Sequence, residues 1–287
     1  MKKDNFDRLS LEEHNEIRDE IISLTLNDEV RQGKPVAIIL AGQPGSGKSG
    51  ATDAATMALK EEGRRPVIID PDDLRIFHPR YETHAFEDPL TAADKVHPDA
   101  SLWAYEVTSE AINRRNDMII DGTLASPEGA SELTKKLKKN GYHVEVHALT
   151  VKPEMSWLGV NKRFEKICES GTGVPRWVPP EIHDKAVVGM PESLERLEKE
   201  SQIDKVMVFD RDNEVFYDST DSKYNNTSAS QTVTAEHKRQ LTTIETRNIN
   251  KEWRAIQKSS VKRNDKTLKS RNKNAQYGLK RERALVL

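Results

Sequence analysis

Gly42-Gln43-Pro44-Gly45-Ser46-Gly47-Lys48-Ser49 is the stretch on which the reading of this chain turns. It carries every fixed position of a G-x-x-x-x-G-K-S loop. It lies between the apolar run Val36–Ala41 and an Ala-rich, helix-compatible stretch from Lys48 to Lys60. Strand, loop and helix in that order are the context in which such a loop binds phosphate. The glycines let the backbone curl, so that successive N–H groups and the N-terminus of the new helix aim at phosphate oxygens. Lys48 can reach the β- and γ-phosphates, and the Ser49 hydroxyl can ligate Mg²⁺. Residues 42–49 are therefore read as the site of a nucleoside triphosphate. A guanine-specific [NT]-K-x-D box is absent, because Asn161-Lys162-Arg163-Phe164 lacks the Asp, so ATP is the expected donor.

Outward from the loop, short apolar runs alternate with helical stretches. The expected strands are Val36–Ala41, Val67–Asp70, Met118–Asp121, Val144–Leu149 and Val206–Phe209, followed by a hairpin turn at Asp210–Glu214 into Val215–Tyr217. Helices are expected after Lys48, around Leu102–Arg115, and from Ser126-Pro127-Glu128 to Gly141, where Pro suits a first helical position and Gly the position past the end. Ser10-Leu11-Glu12-Glu13 has the form of a capping box opening an amphipathic helix. This alternation predicts an α/β fold: a three-layer, P-loop kinase-like parallel sheet with flanking helices. A helical and basic C-terminal extension follows. Ser219–Thr232 reads as a polar linker. Leu241, Ile244, Ile249, Trp253 and Ile256 recur at near-helical spacing, and residues 257–283 are expected to be disordered or a surface helix. The expected division is 1–34, an N-terminal helix on the core; 35–218, the kinase-like domain; and 219–287, linker, helix and tail.

Composition narrows the class. The 287 residues are 35% hydrophobic and 32% charged, which suits one nucleotide-binding domain with extensions. The net charge of −2 conceals an asymmetry: residues 219–287 hold 16 Lys/Arg against 6 Asp/Glu, a surplus of +10, which leaves −12 on residues 1–218. Nothing approaches the run of about 18 apolar residues that spans a membrane. Met1-Lys2-Lys3-Asp4-Asn5 does not begin a signal peptide, and the expected compartment is the cytoplasm. The single Cys168 excludes an intramolecular disulfide and a multi-cysteine metal site, and reads as a small half-buried residue.

Carboxylates mark the strand ends. The second strand runs into Asp70-Pro71-Asp72-Asp73 and the third into Ile119-Ile120-Asp121-Gly122-Thr123. In open α/β sheets functional groups gather at the carboxyl ends of strands. One acid of the first group is thus placed to accept the proton of an attacking hydroxyl, and Asp121 to hold Mg²⁺ through water or direct the substrate. Asp72 is favoured over Asp70 as the base because it should project further into the crevice. A solvated acidic turn capping the helix near Leu74 is the structural alternative. Arg163, in the helix after Pro153, and Arg176, in the Gly/Pro-rich segment Gly171–Trp177, are candidates for neutralising charge on the transferring phosphoryl group. That segment would suit a mobile lid.

Together these residues resemble the zeta-toxin family, the toxin half of epsilon/zeta toxin–antitoxin systems. The resemblance covers roughly residues 35–218. It rests on the loop at 42–49, Ile69-Asp70-Pro71-Asp72 with His78-Pro79, Ser109-Glu110-Ala111-Ile112, Ile120-Asp121-Gly122-Thr123 and the arginines at 163 and 176. It implies an ATP- and Mg²⁺-dependent kinase of the 3′-hydroxyl of the sugar in UDP-N-acetylglucosamine, in a bacterial cytoplasm, neutralised by a separate small helical antitoxin. By the same resemblance Asp72 is the general base and Lys48 the γ-phosphate clamp. Glu110 and Thr123 contact the sugar nucleotide, and Arg163 and Arg176 hold phosphates. Two positions depart from the family: Ala125 stands where an Arg is common, and Asp121 where Glu is frequent. The alternatives are another hydroxyl acceptor (a dinucleotide, an antibiotic or a nucleic-acid end) or a non-catalytic nucleotide-binding module. A nucleic-acid partner would engage through the basic tail.

Overall fold

The computed structural model describes residues 6–27, 33–171 and 173–262. Strands β1 (Val36–Ala41), β2 (Val67–Ile69), β3 (Met118–Asp121), β4 (His143–Leu149), β5 (Lys205–Phe209) and β6 (Val215–Asp218) form one sheet in the order β2-β3-β1-β4-β5-β6. The first five are parallel, and β6 pairs antiparallel at the edge. The helices described are α1 (Leu11–Thr25), α2 (Lys48–Glu61), α3 (Pro71–Leu74), α4 (Tyr81–Glu87), α5 (Ala92–Asn113), α6 (Pro127–Lys139), α7 (Pro153–Ser170), α8 (Pro180–Lys199), α9 (Ala229–Lys238) and α10 (Thr243–Lys262). The expected mixed α/β architecture with a mostly parallel sheet is the observed one.

All six residues of β1 are buried, as a strand covered on both faces requires. Its alternation assigns the layers. Val36, Ile38 and Leu40 pack with Ala51, Ala55 and Leu59 of α2. Ala37, Ile39 and Ala41 belong to the larger core, with Trp103 of α5, Leu137 of α6 and Leu194 of α8. Each fully buried Val, Leu or Ile contributes about 1.5–3 kcal/mol, so the central strand is fixed from both sides, and the loop that leaves its end is fixed with it.

The N-terminal helix starts where the sequence indicates. Ser10 Oγ accepts from the Glu13 N–H, and Glu13 accepts from the Ser10 N–H at 3.0 Å. His14 anchors α1 on α5: its ring stacks on Trp103 at 5.2 Å, and its nitrogens lie 2.9 and 3.0 Å from Asp99 and Glu106. His78 is buried among the same groups, its Nδ1 accepting from the Arg80 N–H and its Nε2 bonded to the Asp7 carbonyl. This histidine of the His78-Pro79 pair pins the N-terminal segment rather than lining the crevice.

Two helices differ from the sequence expectation. Ser219–Thr232, read as a linker, contains a 3₁₀ turn at Ser222–Tyr224 capped by Asp221, and the start of α9, capped by Ser228. The polar residues that signal a linker are here helix caps. The second helix, α8, is obscured in the sequence by Gly189 and Pro191. A proline inside a helix leaves the carbonyl four residues earlier without its N–H partner, which here is Val187. His237 of α9 hydrogen-bonds to the Val187 backbone, and burial holds its imidazole well down, at about 4, with the charges of Lys152 and His183 acting in the same direction. A neutral imidazole thus fills the gap in one helix and docks the next. Of the residues read at near-helical spacing, Ile249, Trp253 and Ile256 of α10 are buried against α7, whereas Leu241 precedes the helix and Ile244 is exposed on it. The basic stretch after Lys262 lies outside the described residues. Among the described residues no helix is long and apolar enough to cross a membrane.

Gly189 supplies a test of this packing. A Cβ there would lie 2.2 Å from the Ala125 carbonyl oxygen, a backbone atom that cannot swing aside. Gly189→Ala is expected to lower the unfolding free energy by about 1–3 kcal/mol, the range for overpacking, as read from urea denaturation. An unchanged midpoint would contradict the packing described.

Candidate active site

The phosphate loop leaves β1 at Ala41 and ends at Gly47, whose φ of 98° is the left-handed conformation open to glycine, one residue before α2 begins. The loop is held from beneath. Gln43, fully buried, donates to the Val151 carbonyl at 2.5 Å and to Ser156 Oγ at 3.2 Å, and Ser156 Oγ in turn pairs with His183 Nε2 at 2.8 Å. Gln43 thus ties the loop to α7 and, through Ser156, to α8. Pro44 and Gly45 form the outer bend, where Gly45 has φ of +79° and touches the backbone of α7. Ser46 is buried, and the Ser49 hydroxyl group lies on an exposed residue in the first turn of α2.

Lys48 folds back over the loop. Its Nζ donates to the Gly42 carbonyl at 2.9 Å and stands 3.6 Å from Asp121 Oδ1. Asp121 ends β3, the strand beside β1, so the register Leu40↔Asp121 sets the two strand ends level. Thr123 follows in the loop that begins with the Gly122 N–H bonded to the Leu40 carbonyl, and it is half-buried at the rim.

Asp70 and Asp72 leave the end of β2 and take different parts. Asp70 is the N-cap of α3, its Oδ1 accepting from the Asp72 N–H at 2.7 Å. Burial, then the charges of Asp121 and Asp72, push its carboxyl up to about 7. Asp72 projects from the helix toward the cations. Its Oδ1 lies 2.7 Å from Arg75 Nη2. Burial acts to raise its pKa, but Arg75, Arg163, Arg176 and Lys48 together outweigh that and hold the carboxyl below its ordinary value. Burial raises the Asp121 carboxyl against the opposing pull of Lys48. Of Asp70, Asp72 and Asp121, Asp72 is the one whose carboxyl its surroundings hold below the ordinary value.

The arginines arrive from three segments. Arg163 projects from α7 into the field of Asp72. Arg176 pairs with Asp73 at 2.9 Å, and its neighbour Trp177 is buried edge-on against Trp157 and Phe164 of α7, at 5.7 and 5.3 Å. Arg75 was not singled out in the sequence. It is nearly buried, follows Asp72 by one helical turn, and its i,i+3 spacing in Asp72-Asp73-Leu74-Arg75 was the available signal.

Glu110 does not join them, which corrects its assignment to the acceptor. It lies in the last turn of α5, at the end of the helix that leads into the start of β3, whereas the loop and Asp121 sit at the opposite ends of their strands. The four residues of β3 separate the two ends by roughly 13 Å at about 3.3 Å per residue. Its carboxylate is engaged there by Arg114 Nε at 2.9 Å and Asn113 Nδ2 at 3.1 Å.

The raised Asp70 carboxyl generates a prediction with a defined sign. Between pH 4 and 7 the unfolded chain releases this proton before the folded one does, so its contribution to stability is full below about 4 and lost as pH rises through about 7. Asn keeps the capping acceptor and has no proton to release. In metal-free, nucleotide-free buffer the stability of Asp70→Asn relative to the wild type should rise from about pH 4 to about pH 7 and level off above it. A constant difference across that window would contradict it.

Residues 22–222 match the Zeta toxin family. The chain is 30% identical over 196 residues to toxin PezT of Streptococcus pneumoniae serotype 4, covering 68% of this chain and 75% of that one. It is 25% identical over 205 residues to toxin zeta of Streptococcus pyogenes, covering 69% and 70%. Among solved structures, one from the PezAT chromosomal toxin–antitoxin system of Streptococcus pneumoniae superposes with a TM-score of 0.73 at 22% identity, over 88% of this chain and 98% of that one. A structure of the AvrRxo1-ORF1:-ORF2 complex with ATP gives 0.50 at 18% identity, over 71% and 64%. The last two show a shared fold; the match over most of the domain shows more, and the chain belongs to the Zeta toxin family.

Proposed function

We propose that this protein is an ATP-dependent kinase whose acceptor is a sugar hydroxyl, the 3′-hydroxyl of UDP-N-acetylglucosamine, and that it is the toxin of a bacterial cytoplasmic toxin–antitoxin pair. The observation that carries the reading is the Asp72 carboxylate, 2.7 Å from Arg75 Nη2 and held below its ordinary pKa by the charges of Arg75, Arg163, Arg176 and Lys48. A carboxylate set among cations at that place is positioned to take the proton of an attacking hydroxyl, a task a phosphotransferase has and a binding module lacks. The acceptor oxygen attacks the γ-phosphorus, the bond from that phosphorus to the β–γ bridging oxygen breaks, and ADP leaves with the electron pair. The acceptor's proton passes to the Asp72 carboxylate. Because phosphoryl transfer has a loose transition state, the larger share of the work is positioning and charge neutralisation, which falls to Lys48, Arg163 and Arg176.

Mg²⁺ fits the oxygen donors available, the Ser49 hydroxyl in the first turn of α2 and the Asp121 carboxylate. When bound it would neutralise charge on the β- and γ-phosphates. Asp121 and Thr123 offer a carboxylate and a hydroxyl to a polyol at the rim, and the −12 charge of residues 1–218 disfavours a long polyanion there. Ala125 removes one cation from the acceptor side. The PezAT and AvrRxo1 likenesses, both to two-component assemblies by name, support a separate antitoxin partner.

Two expected outcomes test the reading. With labelled ATP and a bacterial metabolite extract, mass spectrometry should find phosphorylated UDP-N-acetylglucosamine as the product, and Lys48→Ala should abolish it without loss of fold; undiminished transfer by that variant would overturn the donor site. Asp72→Asn should lower kcat by about 10²–10⁴-fold, the usual contribution of a positioned base, with ATP affinity nearly unchanged. A crippled Asp70→Asn beside a mild Asp72→Asn would reverse the assignment. If the extract yields a phosphorylated dinucleotide or nucleic-acid end instead, the kinase stands and the acceptor falls.

A further inference from the structure

Arg211 lies outside the machinery above and outside the residues singled out in the sequence. It stands two positions past the end of β5, in the turn toward β6, and its side chain reaches the outer surface of the phosphate loop. Nε donates to the Ser46 carbonyl at 2.8 Å and Nη2 to the Gly45 carbonyl at 2.6 Å. Nη2 also reaches the Met155 carbonyl at 3.3 Å, in the first turn of α7. The stem runs along the loop, since a Cβ on Gly47 would lie 3.6 Å from Arg211 Cγ.

A trans peptide is planar, so its C=O and N–H point in opposite directions. Fixing the carbonyls of Gly45 and Ser46 outward therefore fixes the N–H groups of Ser46 and Gly47 the other way. The Ser46 N–H closes the loop's own turn by donating to the Gln43 carbonyl at 3.1 Å. The Gly47 N–H is left aimed from the inner side of the loop. Two consecutive peptide planes are set by one guanidinium whose fork geometry suits paired acceptors. The third contact ties the same guanidinium to α7, the helix that carries Arg163.

We propose that Arg211 is a positioning residue of the phosphate loop, which it shapes for a polyphosphate before the donor arrives by holding the Gly45 and Ser46 carbonyls outward. The inference rests on the donor reading above. A loop shaped in advance spares the donor the cost of ordering it, so the effect belongs in donor binding and not in the transfer step. Its size follows from losing hydrogen bonds made by a charged group.

The experiment measures the affinity of the full chain for ATP and for inorganic tripolyphosphate, with steady-state kinetics alongside. Arg211→Ala should weaken both ligands by the same factor, about ten- to a hundredfold. It should raise KM for ATP correspondingly and leave kcat at saturating ATP within about twofold. Arg211→Lys, which can satisfy one carbonyl at a time, should recover part of the loss. Weakened ATP with unchanged tripolyphosphate would overturn the proposal, because the side chain would then serve the base or ribose. So would unchanged affinity for both in a folded variant, or a fall in kcat alone. A wild-type chain that binds neither ligand would overturn the donor reading and this inference together; a wild type that binds both while Arg211→Ala is silent would overturn this inference alone.

Discussion

The site depends on a contact that has no side chains in it. The phosphate loop meets α7 at Gly45 and Gly159, backbone against backbone: a Cβ on Gly45 would lie 2.1 Å from the Ser156 carbonyl oxygen, and one on Gly159 2.4 Å from the Gly45 carbonyl oxygen. At Gly45 the φ of +79° adds a conformational requirement to the steric one. This approach brings the first turns of α7 onto the loop at 42–49. The helix axis then carries Arg163 forward at about 1.5 Å per residue to the flank of Asp72. The Gln43–Ser156–His183 hydrogen bonds close the same junction from the buried side. The loop at 42–49 and Arg163 are consequently carried by one packed unit, set by two positions at which nothing larger than hydrogen fits.

Given that geometry, electrostatics separates carboxylates of identical chemistry. Asp70 and Asp72 are two residues apart, yet one is raised to about 7 and the other held below its ordinary value. The difference is one of direction. Asp70 turns back to cap its own helix, where water is excluded and Asp121 and Asp72 repel its charge. Asp72 turns outward to Arg75, with Arg163, Arg176 and Lys48 behind it. Divergence of two neighbouring acids assigns them to different tasks: Asp70 to the helix start, Asp72 to the crevice.

Much of this is legible in the sequence, for identifiable reasons. A fixed-spacing loop between a strand and a helix specifies its own geometry, and strands that end in acids place those acids at one edge of a parallel sheet. What sequence cannot supply is the direction of a helix relative to that edge. Ser109-Glu110-Ala111-Ile112 matches a family motif, but α5 runs toward the start of β3 and carries Glu110 to the far end. Arg75 and Arg211 escaped notice because their roles arise from folding: one is turned onto Asp72 by a four-residue helix, the other reaches the loop across 165 positions of sequence. Likewise α8 is hidden by Pro191, whose cost is met by His237, a residue more than forty positions away that no local pattern connects to it.

The extension beyond the family match completes the argument. That match ends at residue 222, yet α9 and α10 are packed on the domain. Ile249, Trp253 and Ile256 of α10 share one apolar cluster with Trp157, Phe164 and Trp177. Ser260 Oγ donates to Glu165 at 3.1 Å, and Lys162 pairs with Glu252 at 2.9 Å. These contacts all fall on α7 and on the residue beside Arg176. The face of α7 that carries Arg163 is therefore backed by α10, and the tryptophan that fixes Arg176 in the chain is buried in the same cluster. Charges that act without reorganisation need rigid supports. In this chain part of that support comes from a helix whose amphipathic spacing, rather than any motif, gives it away.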